Sequence, residues 1–272
     1  MRGMFTAGVI DVLMENGIEF DGGIGVSAGA AFGCNYKSKQ IGRVLRYNTR
    51  FCRHRDYCGL GVLLKTGDVY SKDFCYNEVP LKHDPFDFDT YESNPMEFYV
   101  VCSDLEAGEA VYHRYEGRHD GVFEWIRASC SMPLVSKIVE INGSKLLDGA
   151  ICDDIPVKFF ESIGYERNVA VLTQPREYRR KPFSMMRLFR IKYRKYPKFV
   201  RAMETRHERY NATLDYIARK EEEGGLLVIR PDEPLPVKMV ERDPEKLKLA
   251  YGIGRKTAAR RLDELKRYLA LE

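Results

Sequence analysis

The chain has 272 residues, 44% of them hydrophobic and 31% charged, with a net charge of +4; this is the composition of an ordinary globular protein with room for one large α/β domain. No window approaches the run of about twenty apolar residues that a membrane-spanning helix needs, which excludes a bilayer-crossing chain. Seven cysteines without a C-x-x-C pair read as reduced thiols, and the start moves from Met1-Arg2 into an amphipathic pattern rather than a signal peptide, so a cytoplasmic setting is expected.

Taken in order, "MFTAGVIDVLMENG" puts Phe5, Val9, Val12 and Leu13 at helical spacing, with Asn16-Gly17 as a stop. "IEFDGGIGV" reads as a short buried strand that ends at Ser27. The small residues of "AGAAFGCNYKSK" predict a helix packed closely under a turn, and "QIGRVLRYNTRF" predicts another. Residues 53 to 97 carry several Gly and Pro and are expected to form loops and short helices over one end of a sheet. "EFYVVCSD" and "GEAVYHRY" look like a strand pair, and "DGVFEWIRASCSM" like a helix stopped by Pro133. "SKIVEINGSKLLDG" is a hairpin with Asn142-Gly143 in a type I′ turn, and its second arm delivers Asp148. A short helix after Pro156, buried strands "NVAVLTQ" and "GLLVIRP", and an exposed, charged helix or helix pair over 243–272 complete the chain. Strands alternating with helices predict a three-layer α/β/α domain spanning 1–272, with a mainly parallel central sheet.

Charge is unevenly spread. Residues 176–209 hold thirteen Lys and Arg against three Glu, about +10, and leave the rest of the chain acidic. Within the basic helical segment expected over 176–220, Phe183, Met185, Met186, Leu188, Phe189, Ile191, Tyr193, Tyr196 and Phe199 interleave with the cations. Such a stretch suits either an anionic membrane surface or a solvated helix whose apolar side packs on the sheet.

The spacing Gly25-x-Ser27-x-Gly29 is that of a nucleophile elbow, in which a strand turns sharply into a helix. On the order of one random chain in ten of this length contains it, so it needs a base as partner. A Ser27-Asp148-His207 triad in α/β-hydrolase order requires several strands before the elbow, and only 26 residues precede Ser27. His207 itself lies in a basic stretch that reads as solvated. Lys37 and Lys39, candidates for a Ser-Lys pair, sit beyond two helical turns and should point to water. Asp148 remains as a direct partner, although Asp-Gly is by itself a common turn.

"GVSAGA", "RASCSMP" and "LLDGAICDDIPV", in that order and approximate spacing, resemble the patatin-like phospholipase family from Met1 to about Val171. The resemblance implies that Ser27 is a nucleophile and Asp148 its base, with Gly25, Gly29 and Gly149 as motif glycines. It also implies calcium-independent lipid acyl hydrolysis through an acyl-enzyme, without metal or cofactor. In the family an apolar strand and a G-G-G-x-[RK]-G loop supply oxyanion donors, and Met1-Arg2-Gly3 match only the last three positions of that loop. Arg2, Gly3 and Ala28 are then the expected oxyanion and substrate-binding residues, and the natural product is expected to start upstream. A general carboxylesterase or thioesterase, and a catalytically weak basic protein binding membrane or nucleic acid, are the alternatives. No RNA- or DNA-binding motif is present, and no nucleic-acid partner is expected. "GIGVSAGA" lacks the Lys-Ser/Thr ending of a phosphate-cradling loop, and Asp153-Asp154 read as helix caps rather than metal ligands. An exposed sheet edge left by the absent strand would suit a homo-oligomer. On this reading the chain hydrolyses esters weakly, and a longer chain restoring the strand and G-G-G gains at least about tenfold in rate; equal rates would contradict it.

Overall fold

The computed structural model describes residues 1–117 and 120–270. Helix α1 (Gly3–Glu15) turns its Phe5, Val9, Val12 and Leu13 stripe into the core and stops at Asn16, with Gly17 left-handed at φ 64°. Strand β1 (Gly22–Val26) leads into α2 (Ala28–Lys37), followed by α3 (Arg43–Phe51). The Gly- and Pro-rich region forms short elements: α4 (Leu60–Thr66), a π-helical stretch (Phe74–His83) and α5 (Phe88–Ser93). Next come β2 (Glu97–Asp104), β3 (Ala110–Arg114), α6 (Val122–Cys130), β4 (Val139–Ile141), β5 (Ser144–Asp148) and a 3₁₀ turn (Gly149–Ile151). Then follow α7 (Val157–Ser162), β6 (Asn168–Val171), α8 (Met186–Lys192), α9 (Pro197–Glu204) and α10 (Arg206–Glu222). β7 (Leu226–Ile229), α11 (Pro244–Arg260) and α12 (Leu262–Leu269) end the chain.

The α/β class holds, and the pairing within it is mixed. β1 and β2 are parallel, as are β6 and β7 in a separate two-stranded sheet, while β3 and β5 run antiparallel to β2. β4 and β5 form the expected hairpin, with Asn142 and Gly143 at φ 50° and 83° in the turn. β2 is the spine. β1 pairs with Glu97–Val101 and β5 with Cys102–Asp104, whereas β3 pairs with Tyr99–Ser103 and overlaps both. Two strands cannot bond one edge at the same residues, so β3 holds the far edge while β1 and β5 share the near one. There they run toward each other, and Val26 faces Val101 while Asp148 faces Cys102. The two chain ends therefore meet.

β1 is paired on one edge only and so is β6, and both line a single cavity of about 1140 Å³. That position explains why β6, expected to be buried, is half-buried along its length while β7 is buried throughout.

Two sequence expectations need correction. The C-terminal helices are not an exposed pair: α11 buries Leu247, Ala250, Gly254, Thr257 and Ala258, and crosses α1 at backbone contact. A Cβ on Gly8 would stand 2.1 Å from the Tyr251 carbonyl oxygen, and one on Gly254 2.0 Å from that of Phe5, so only glycine fits at the crossing. The basic segment 176–220 is likewise not one amphipathic helix. Residues 176–185 are non-helical, and Phe189, Tyr193 and Phe199 form a buried core with Leu105, Leu147 and Ile151. Its aromatic residues lie in or pack against buried cores, and the aliphatic Met185, Leu188 and Ile191 are the large apolar side chains left exposed.

Candidate active site

The meeting of β1 and β5 brings two residues 121 positions apart within bonding distance. The Ser27 hydroxyl donates a 2.7 Å hydrogen bond to Asp148 Oδ2, with no imidazole between them. Ser27 holds φ 55° and ψ −121°, a region that non-glycine residues rarely occupy, at the apex of the turn from β1 into α2. Gly25 permits the turn, since a Cβ there would lie 2.5 Å from the Ala30 backbone. Gly149 permits the approach of Asp148 to the sheet, since its Cβ would lie 2.2 Å from the Val101 carbonyl oxygen. Gly29 differs: a Cβ would meet nothing within 4 Å, and the residue lines the cavity, so packing does not demand its glycine.

Asp148 is buried, and burial pushes its carboxyl above the ordinary carboxylate range. The Ala150 amide donating to Oδ1 at 2.9 Å, the Ser27 hydroxyl and the charge of Arg206 oppose that rise. The result is a carboxylate held as a hydrogen-bond acceptor for Ser27 yet made more basic by its surroundings.

Gly3 and Ala28 come together as well. They open α1 and α2, and a Cβ on Gly3 would sit 2.9 Å from that of Ala28, so two helix N-termini converge beside Ser27. The first amides of a helix have no intrahelical acceptor and attract negative charge, as an oxyanion site requires. Arg2 is exposed and lines the same cavity as Ser27 and Asp148. Lys37 does not point to water: it is buried, and its ammonium donates to the Asn94 and Met96 carbonyls. Lys39 is exposed and pairs with Glu19. The carboxylate nearest His207 is that of its neighbour Glu208.

Ser129, Ser103 and the arginines that bind Asp154 were not singled out in the sequence. Ser129, inside "RASCSMP", accepts the Ser27 amide at 2.8 Å and donates to the Val101 carbonyl at 2.6 Å, which ties the elbow to β2. Ser103 donates to the Asp148 carbonyl and accepts the Cys152 amide, fixing the turn after Asp148. Asp154, expected as a helix cap, instead binds the guanidiniums of Arg180 and Arg206; Asp153 accepts the Ile155 amide and the Tyr112 hydroxyl. The small-residue motif around Ser129 was the available signal for the first of these. Arg180 and Arg206 lie in a different part of the chain, where nothing in the spacing points to the site.

Residues 1–160 match the family model described as patatin-like phospholipase, and residues 196–270 match a domain of unknown function, DUF6363. The chain is 28% identical over 184 residues to uncharacterized protein YjjU of Escherichia coli (strain K12), a match covering 64% of this chain and 49% of that protein. It thus spans about half the length of the curated relative.

Removing the Ser129 hydroxyl leaves the Ser27 amide without its acceptor inside the protein. Ser129→Ala is expected to lower unfolding free energy by about 1–3 kcal/mol, read as a shifted denaturant midpoint at unchanged slope. An unmoved midpoint would show that the elbow stands without this bond.

Proposed function

The chain belongs to the patatin-like phospholipase family, and from that premise we propose that it is a lipid acyl hydrolase with Ser27 as nucleophile and Asp148 as its base. The family supports lipid hydrolysis in general terms; the observation that carries the reading for this chain is the 2.7 Å bond from Ser27 to Asp148 at a strained elbow. The Ser27 proton passes to Asp148 as Oγ attacks the ester carbonyl carbon, and the carbonyl electron pair moves onto oxygen. The amides of Gly3 and Ala28 are placed to stabilise that oxyanion. Collapse expels the alcohol, which takes the proton from Asp148 and leaves Ser27 acylated. Water then gives a proton to Asp148 and attacks the acyl carbon, releasing the acid and returning the proton to Ser27.

A fluorophosphonate probe should label the wild-type protein and fail to label Ser27→Ala. Asp148→Ala should lose at least about 10²-fold in turnover, the usual scale of a lost general base. Labelling that survives Ser27→Ala, or turnover undiminished in Asp148→Ala, would reject these roles; turnover of short-chain esters but no lipid would place the chain among general carboxylesterases.

Because burial raises the Asp148 carboxyl, kcat/KM should fall on the acid side with a midpoint above the ordinary Asp value of about 4. The sign for stability is opposite. Folding favours the protonated form, so the stabilising contribution is fullest below the unfolded value and is lost as pH rises through the folded one. Asp148→Asn should accordingly melt higher than wild type at neutral pH; a lower melting temperature there would contradict the raised carboxyl.

We also propose that the cavity rim meets an anionic membrane. Met185, Leu188 and Ile191 stand 50%, 52% and 68% exposed among Arg187, Lys192, Arg194 and Lys195, and Met185 lines the cavity. The Val69–Val135 and Leu134–Tyr193 hydrogen bonds tie the segment that follows α4 to the end of α8, and α4 itself leaves Leu60 and Leu64 exposed. Apolar side chains between cations suit a headgroup boundary. Co-sedimentation should favour anionic over neutral vesicles and weaken in Leu188→Asp; no preference would remove the membrane contact.

A further inference from the structure

Arg180 and Arg206 both line the cavity that holds Ser27 and Asp148, and both lean on one carboxylate. Arg206 binds Asp154 through Nε at 3.1 Å and Nη2 at 2.5 Å, and Arg180 binds it through Nη2 at 3.0 Å. Their side chains are 18% and 22% exposed and that of Asp154 10%, so the trio is largely withdrawn from water. A guanidinium offers five N–H donors, and Asp154 occupies only a few of the ten. Arg180 Nε is buried with no hydrogen-bond partner among the described residues.

A purely structural ion pair needs one arginine. The second leaves the trio with a formal charge of +1 in a partly buried wall, an arrangement that costs desolvation free energy unless an anion completes it. The Arg180 guanidinium packs 4.2 Å from the Tyr210 ring centroid, and its backbone amide is held by Asn211, so its fork is fixed before any ligand arrives. Exposed Arg2 adds a third cation on the same cavity. The carboxylates whose charge acts on Arg206 are Asp154 and Asp148; elsewhere the cavity is lined by Glu19, Asp21 and Glu166 and by Arg43 and Arg167. Arg206 is close enough for its charge to act on Asp148.

We propose that Arg180 and Arg206 form a subsite for the phosphate of a glycerophospholipid whose ester carbonyl lies at Ser27. The assignment rests on reading Ser27 as an ester nucleophile. In such a lipid the ester and the phosphate are a few covalent bonds apart, which suits guanidiniums that line the same cavity as Ser27 and Asp148 rather than a separate surface. Arginine suits the task because its planar fork meets two phosphate oxygens at once.

The test uses binding, so that it does not depend on turnover. Soluble dihexanoylphosphatidic acid and dihexanoylglycerol are titrated calorimetrically into Ser27→Ala protein with Arg180 intact, and then with Arg180→Gln or Arg180→Lys. The phosphate-bearing lipid should bind at least about tenfold more tightly than the neutral one, the scale of one charged hydrogen bond. Arg180→Gln should abolish the preference, and Arg180→Lys, with charge but no fork, should restore only part. Equal affinities with Arg180 intact, or a preference untouched by Arg180→Gln, would overturn the subsite. Inorganic phosphate binding as tightly as the lipid would overturn the headgroup assignment in favour of a free-anion site. A preference found in a protein that hydrolyses no ester would sustain the subsite while removing the hydrolase reading.

Discussion

β1 and β5 share one edge of β2 and run toward each other until Val26 and Asp148 face adjacent residues of that strand. The contact between Ser27 and Asp148 follows from this register, and so do the demands on their neighbours. Each chain must leave the sheet within a residue of the other. Ser27 does so through a conformation that costs about 1–3 kcal/mol, offset by the Ser129 bond and by the helix that begins at once. Asp148 does so through a 3₁₀ turn whose first residue must be glycine because the Val101 carbonyl occupies the space of a side chain. A one-residue slip of β5 along β2 would turn Asp148 to the other face of the sheet.

The C-terminal third takes part in the same arrangement. α11 crosses α1 at Gly8 and Gly254, which fixes the helix whose first residue, Gly3, abuts Ala28. α10 begins at Arg206, whose charge reaches Asp148 and whose guanidinium is anchored by Asp154. The segment matching DUF6363 thus contributes a brace for one helix N-terminus and a cation whose charge acts on Asp148. In this chain the two matched segments are physically interdependent.

Much of this was legible in the sequence because it depends on local chemistry. Glycines around Ser27, the Asn142-Gly143 turn and the apolar stripe of α1 each carry a geometric requirement that can be read without coordinates. The pairing of Ser27 with Asp148 was reached through motif order, since the register that joins them is non-local. Lys37 was misread because a long side chain near a helix end usually reaches water; here its ammonium finds two carbonyls in the loop before β2. The basic segment was expected to be helical from residue 176 because charge and aromatic content do not reveal where helices begin or where the chain folds back. Arg180 and Arg206 stayed hidden for the same reason: their meaning lies in sharing Asp154, a contact that spacing cannot show.

The electrostatics of Asp148 join these parts. A carboxylate at its ordinary value is a poor base for a serine hydroxyl near neutral pH, and burial corrects that by penalising the charged form. The Ala150 amide, the Ser27 hydroxyl and the Arg206 charge pull in the other direction and keep a carboxylate accessible. Of these three, the Ser27 hydroxyl and Arg206 line the cavity, and Arg206 is the one that carries a charge. A phosphate bound at the proposed subsite would screen that charge, and the basicity of Asp148 would then rise when a phospholipid fills the site.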